Sequence, residues 1–322
     1  MPVHAFIFPG QGSQAPGMGR DLAAAFSVAR EVFQEVDETL QQHLSKLMFE
    51  GPAEDLMLTE NAQPALMAHS LAVLRVLERE GGFLLADRAV VVAGHSLGEY
   101  SALAAAGSFG IAQAARLLRL RGRAMQAAVA PGVGAMAALL GAELPLAQEI
   151  CDVAAVDPET GLREVLDPAN DNGGGQVVIS GHAAAVDRAI EAAKAKGVRR
   201  AMKLPVSAPF HCALMAPAAD AMAEALERSP PRAPVVPLIA NVSAAKATDP
   251  GEIVRLLVAQ VTATVRWREV MQAMAALGVD CFVELGTGKV LSGLVKRIQP
   301  DASSAAAGTP TDVDALLKLL NG

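Results

Sequence analysis

The stretch Ala89-Val90-Val91-Val92-Ala93-Gly94-His95-Ser96-Leu97-Gly98-Glu99-Tyr100-Ser101-Ala102-Leu103 constrains this chain more than any other. A nearly pure valine run is the mark of a strand covered on both faces, as in a parallel sheet flanked by helices. Gly-x-Ser-x-Gly follows at once, and an Ala- and Leu-rich helix follows that. Glycines at those positions permit a bend too sharp for side chains, and the bend presents Ser96 above the sheet edge as a nucleophile elbow does. Ser96 then sits at a helix N-terminus, where backbone N–H groups favour developing negative charge, and the N–H of Leu97 is the natural first oxyanion donor. The plainer alternative is a turn that merely joins strand to helix.

The rest of the chain fits an α/β fold with a mostly parallel sheet. His4–Phe8 reads as a buried strand stopped by Pro9-Gly10, and segments 235–239 and 281–285 resemble the valine strand. Helices are expected over 18–40, 66–79, 111–130 and 213–228. The middle differs: strand (134–140), helix (145–155), strand (164–170), strand (176–180), helix (182–196) and strand (198–204). That β-α-β-β-α-β order is the ferredoxin-like split unit, so residues 132–206 are expected to form a small domain inserted into a large one made of 1–131 and 207–322. Segment 157–172 is rich in turn formers and reads as a partly exposed loop. Segment 300–310 reads as a mobile connector to a last short helix.

Composition narrows the function. The 322 residues carry a net charge of -7, which argues against a nucleic-acid partner because phosphate neutralisation needs a basic surface. Over half the residues are apolar but no run reaches the ~18–20 needed to span a bilayer. The longest candidate, 102–115, is broken by Gly107, Ser108, Gly110 and Gln113. The first residues lack the cationic start of a signal peptide. The three widely spaced cysteines, Cys151, Cys212 and Cys281, suggest neither a disulfide framework nor a metal site, and the histidines show no ligand spacing. The expectation is a reduced, cytoplasmic α/β enzyme without a metal or cofactor.

A serine nucleophile needs a base. His95 adjoins Ser96 in the turn, so its side chain is expected to point elsewhere. His211 lies in the loop Ser207-Ala208-Pro209-Phe210-His211-Cys212, ahead of a helix, and is the leading base, although a loop histidine taken alone is more often structural. Cys212 lacks an elbow and reads as a small hydrophobe. In the helix over 111–130, Ile111, Ala114, Leu117, Leu118, Met125 and Ala128 form one apolar stripe. Arg121 falls in its middle, while Arg116, Arg119 and Arg123 cluster opposite. An inward guanidinium needs an anion, either an internal carboxylate or a substrate carboxylate received bidentately. Two other motifs are set aside. Gly10-Gln11-Gly12-Ser13-Gln14-Ala15 lacks the following helix and ribose-binding acid of a dinucleotide site, and Gly286-Thr287-Gly288-Lys289 lacks the first glycine of a phosphate loop.

Six segments in order carry a family resemblance: Phe8-Pro9-Gly10-Gln11-Gly12-Ser13-Gln14, Gln63-Pro64-Ala65-Leu66, the elbow 94–101, Arg121-Gly122-Arg123-Ala124-Met125-Gln126, Pro209-Phe210-His211 and residues 284–291. Together they resemble the malonyl-CoA:acyl carrier protein transacylases of bacterial fatty acid synthesis over nearly the whole chain. The resemblance implies Ser96 as the acylated nucleophile, His211 as its base and Arg121 as the ligand of the malonyl carboxylate. It implies that the backbone N–H of Gln11 joins that of Leu97 in an oxyanion hole, and that Gln63 and Asn172 line the pocket. It also implies a hydrolase-like α/β body with an inserted ferredoxin-like subdomain. The implied partners are malonyl-CoA and an acidic, phosphopantetheinylated acyl carrier protein, with no membrane partner and a monomeric state.

Three departures stand out. The family often has Asn-Pro before Val-x-Trp, where a backbone carbonyl orients the histidine. Here Ala263 and Thr264 precede Val265-Arg266-Trp267, and the carbonyl role is expected to persist. Segment 157–170 is longer than usual, and Phe210 stands where some relatives have serine. Lys194, Lys196, Arg199, Arg200 and Lys203, with Arg116, Arg119 and Arg123, form basic clusters suited to an acidic carrier. Open alternatives are malonyl or methylmalonyl transfer in a polyketide-type pathway, a carrier-binding module without catalysis, and an esterase. Against the esterase stand the lack of a His-Gly-Gly-Gly loop, the lack of an acid ahead of His211, and the inward Arg121.

Overall fold

The computed structural model describes residues 2–321. The strands are β1 (His4–Phe8), β2 (Ala89–Gly94), β3 (Gly134–Leu140), β4 (Leu166–Asp171), β5 (Gln176–His182), β6 (Arg200–Lys203), β7 (Leu238–Ile239), β8 (Lys246–Ala247), β9 (Cys281–Leu285) and β10 (Ser303–Ala307). Six form one sheet in the order β10-β9-β1-β2-β7-β8, parallel except for the final β7–β8 pair. The other four form an antiparallel sheet in the order β4-β5-β3-β6. The fold is therefore α/β with a mostly parallel main sheet.

The unbroken apolar strands have a direct physical reason. Along β1 and β2, Phe6, Phe8 and Val92 face one core, while Ala5, Ile7, Val91 and Ala93 face a second core on the opposite side of the sheet. Every side chain of β1 is buried, so the strand has no polar face to alternate. The larger core holds the long helix Thr59–Gly81, and the second is built around Trp267, Met271 and Met274. A third core sits between the antiparallel sheet and the helices Leu144–Ala154 and Ala183–Ala195.

Several boundaries differ from the sequence reading. The helix expected over 18–40 is two, Arg20–Ala25 and Ser27–Leu40, because Phe26 between them is extended. The helix expected from residue 66 begins at Thr59 and carries Pro64 inside it; burial of Asn61, Ala62 and Gln63 holds that first part in place. The strand expected over 235–239 shortens to β7. The largest correction is at 300–310. That segment is no mobile connector, because Ser303–Ala307 pairs along its length with β9, and the helix Pro310–Asn321 follows it. Its Ser-Ser-Ala-Ala-Ala sequence lacks the bulky residues that signal a strand, and the backbone ladder supplies what side chains do not.

Candidate active site

The elbow forms because two glycines remove every obstacle to it. β2 ends at Gly94 and the helix Gly98–Ala105 starts four residues later. A Cβ on Gly94 would lie 1.9 Å from Gly98 O, and one on Gly98 would lie 2.3 Å from Phe8 O. Between them Ser96 holds φ at 53°, a left-handed conformation that costs a non-glycine residue about 1–3 kcal/mol. Asn241 supports the bend: its Oδ1 accepts from the Ser96 backbone N–H at 2.8 Å and its Nδ2 donates to Gly94 O at 2.7 Å.

Ser96 Oγ lies 2.8 Å from His211 Nε2. The imidazole is 4% exposed, and its Nδ1 lies 2.8 Å from Gln260 O, so Nδ1 carries the proton and Nε2 is left as the acceptor. His211 also holds a left-handed φ of 62°. Burial pushes its pKa down to about 3, the Arg121 charge adds to that fall, and backbone carbonyls oppose it. The ring is therefore neutral near pH 7, the form a base must have. The carbonyl expected near Ala263 and Thr264 is joined by that of Gln260, the one at 2.8 Å from Nδ1. Gln260 ends the helix Pro250–Gln260, while Ala263 O contributes as a further acceptor.

Arg121 is 1% exposed on the inner face of the helix Ile111–Ala127. It donates to Gln63 Oε1 at 2.9 Å, Gln260 Oε1 at 2.8 Å and Ser96 Oγ at 3.2 Å, and its Cζ lies 5.8 Å from the Tyr100 ring centroid. Among the described residues no carboxylate lies within ion-pair distance of it; the acid that acts on it, Glu99, is joined to it only through Gln260. Burial lowers its pKa, and Tyr100 and Glu99 oppose that shift. A buried guanidinium ringed by neutral acceptors and facing a cavity has the chemistry to receive an anion.

Ser96, Leu97, His211, Arg121, Gln63 and Gln11 line one cavity of about 800 Å³, together with Met125, Met136 and Phe210. Among the described residues the backbone N–H groups of Leu97 and Gln11 find no acceptor, so both are free to donate into it. The Gln11 side chain accepts from Thr59 Oγ1 at 2.9 Å, and Thr59 Oγ1 accepts from Gln63 Nε2 at 3.0 Å. Asn172 is placed differently. Its Oδ1 lies 2.9 Å from His95 Nε2, and the residue lines a neighbouring cavity of about 470 Å³. The His95 ring is thus engaged by Asn172 while still bordering the Ser96 cavity, and Cys212 is buried, with its thiol donating to Pro209 O at 3.2 Å.

Arg119 overturns the expectation of an outward face. It is 8% exposed, hydrogen-bonded to Asn61 Oδ1 at 3.0 Å and to Gln42, and paired with Glu60 at 3.6 Å. The helix packs against both Thr59–Gly81 and Ser27–Leu40, so its buried arc is wider than one stripe. Lys194, Lys196 and Lys203 pair with Glu191, Glu149 and Asp187, while Arg116, Arg199 and Arg200 have no acidic partner among the described residues.

Sequence reasoning missed Gln260, Asn241 and Glu99. Asn241 and Gln260 stand far from any motif and carry no local signal. Glu99 did carry one, as a lone acid in a helix otherwise made of small and apolar residues.

Comparison with known proteins gives the family. A family model described as acyl transferase domain matches residues 5–309. The malonyl CoA-acyl carrier protein transacylase of Escherichia coli (strain K12) is 44% identical over 319 residues, covering 99% of this chain and all of that protein. The crystal structure of acyl-carrier-protein-S-malonyltransferase from Bartonella henselae is 54% identical, with a TM-score of 0.94 over 99% of this chain and all of that one. A type II PKS acyl-carrier protein in complex with its malonyl-transacylase gives 42% identity and a TM-score of 0.93, covering 98% and 99% of the two chains. Likeness of this extent, joined to an elbow serine under a buried arginine, assigns the lineage: the chain belongs to the acyl transferase domain family, among the malonyl CoA-acyl carrier protein transacylases.

Proposed function

We propose that this chain moves malonyl from malonyl-CoA to the phosphopantetheine thiol of an acyl carrier protein through a malonyl-serine intermediate, supplying extender units for fatty acid synthesis. The observation that carries the reading is the placement of Ser96 Oγ within hydrogen-bond distance of both His211 Nε2 and Arg121 Nη2. His211 takes the Ser96 proton as Oγ attacks the thioester carbonyl. The N–H groups of Leu97 and Gln11 hold the resulting oxyanion. The intermediate collapses, coenzyme A leaves with the proton from His211, and the malonyl ester remains on Ser96. The carrier thiol then attacks that ester by the reverse path and restores the Ser96 hydroxyl. Throughout, Arg121 holds the malonyl carboxylate, positioned by Gln63 and Gln260, and this fixes the carbonyl for attack.

The finer fold reading supports the same placement. Residues 132–206 form an inserted ferredoxin-like subdomain within a hydrolase-like body of 1–131 and 207–322; the order β4-β5-β3-β6 with two helices on one side favours it. Its Leu204 and Val206 line the cavity, so the carrier arm enters between the two parts. Arg116, Arg199 and Arg200 are the basic residues left to meet an acidic carrier, and transfer by that route slows as salt rises. Asn172 acts through His95 at the cavity wall. Among the described residues no helix is long and apolar enough to cross a membrane, which suits a cytoplasmic place of work. The solved complex of a type II PKS carrier with its malonyl-transacylase gives a polyketide-type carrier as the second reading of the acceptor.

The test is direct. After mixing with malonyl-CoA, intact mass spectrometry should find a malonyl adduct that peptide mapping places on Ser96. Adding carrier protein should move the adduct to the carrier. Free malonate with an unmodified carrier would make the chain a hydrolase, and no adduct at all would end the reading.

A further inference from the structure

Glu99 takes no part in the steps above, yet its carboxylate is walled in beside them. It is 1% exposed on the helix Gly98–Ala105. Its Oε2 accepts from Gln260 Nε2 at 2.6 Å and from the Asn241 backbone N–H at 3.2 Å, while its Oε1 is buried without a partner. The same Gln260 amide turns its own Oε1 to Arg121 Nη2 at 2.8 Å. One neutral amide therefore ties a buried carboxylate to a buried guanidinium, and that guanidinium faces the acyl cavity at Ser96.

Few other groups could set the charge here. Tyr100, next on the same helix, is kept neutral because burial raises its pKa. His211 and His95 are held below the usual imidazole range by burial. The other elements packed on this helix are β1, β2 and Thr59–Gly81, and they present no charge that acts on Glu99. Arg121 on Ile111–Ala127 is the one charged residue that does.

The charge count then differs between the empty and the loaded site. With Glu99 ionised, the buried set is neutral while the cavity is empty. A malonyl carboxylate docking on Arg121 would leave a net negative charge in a dry interior, which burial penalises heavily. Taking one proton onto Glu99 restores neutrality.

We propose that Glu99 is the exchangeable counter-charge of Arg121: its carboxylate balances the guanidinium in the empty site and takes up one proton when a carboxylate-bearing acyl group docks. The proton comes from solvent, adds to a Glu99 oxygen and returns to solvent when the acyl group leaves; no bond to substrate forms or breaks. Glu99 is thus a positioning residue that acts through Gln260, and an acyl group without a carboxylate leaves it ionised. Burial holds Glu99 up at about 7, where this exchange can respond near neutrality. The inference rests on the malonyl reading of the site.

The experiment uses Ser96→Ala, which binds malonyl-CoA without reacting. In weak buffer with an indicator dye at about pH 7.5, malonyl-CoA binding should take up a proton, approaching about one per site at higher pH, and acetyl-CoA should take up none. The malonyl-CoA Kd should be flat below about pH 7 and rise toward about tenfold per pH unit above it. Adding Glu99→Gln should abolish the uptake and flatten the Kd profile. Equal uptake with the two thioesters, a flat parent profile, or a slope that survives Glu99→Gln would overturn the proposal. Should Glu99→Gln fail to fold, the comparison of the two thioesters decides alone. The wild-type protein separates the two readings: a malonyl adduct on Ser96 with no proton uptake sinks the counter-charge alone, and no adduct sinks the function beneath it.

Discussion

Dropping the pH from about 7.5 to about 5 puts the proposed base under direct test. An imidazole at its ordinary value near 6.5 would be about 97% protonated at pH 5, and its capacity to accept the Ser96 proton would fall about 30-fold. His211 is shielded from that fate first by burial and then by the Arg121 charge, and its pKa lies at about 3. At pH 5 about 99% of it is therefore still neutral. With malonyl-CoA saturating, malonyl-serine formation should change less than about twofold over this range, read by rapid quench and intact mass. Replacing Arg121 with Ala should move the acid limb upward while leaving it below 6.5, since burial, the larger cause, remains. An acid limb centred near 6.5 in the wild-type protein would refute the assignment of His211 as a buried, neutral base.

Further outcomes follow from named contacts. Arg121→Ala removes charge-assisted hydrogen bonds worth about 1.5–3 kcal/mol each and should weaken malonyl-CoA binding at least about tenfold while favouring acyl groups without a carboxylate, measured by competition with acetyl-CoA; unchanged selectivity would strip the residue of its assigned job. Gly98→Ala drives a Cβ to 2.3 Å from Phe8 O and should cost about 3 kcal/mol in denaturant unfolding as well as abolish the adduct. His69, buried with Nε2 donating to Gly308 O at 2.9 Å, has its pKa lowered to about 4, chiefly by burial. A depressed histidine contributes stability that is fully present above about 6.5 and lost as pH falls through about 4, so thermal melts of wild type and His69→Gln should converge by about 3 kcal/mol across that window.

The parts of the molecule legible in the sequence were those whose signal is local. The elbow announces itself because Gly94 and Gly98 must be glycine and sit two residues either side of Ser96. Arg121 was readable because a helix period exposes a charge on the wrong face. Arg119 misled for the complementary reason: a second helix covers it, and a one-stripe reading has no way to register two neighbours. Asn241 and Gln260 were illegible because their roles exist only after β7 and the helix Pro250–Gln260 come to rest against the elbow. β10 was missed because alanine and serine carry no strand preference, and its identity comes from β9 beside it.

The order of the main sheet also bears on how the chain is made. β1 lies between β2 and β9, so an early strand is flanked on its second edge only after almost the whole chain has been synthesised. At about 5–20 residues per second the roughly 190 residues between β2 and the end of β9 leave Phe6, Ile7 and Phe8 half-covered for roughly 10–40 s. The antiparallel sheet, in contrast, draws all four strands from one continuous segment and can close while the ribosome is still working. During translation this protein therefore carries a finished small unit on an open apolar ribbon, and that ribbon is where a chaperone has something to hold.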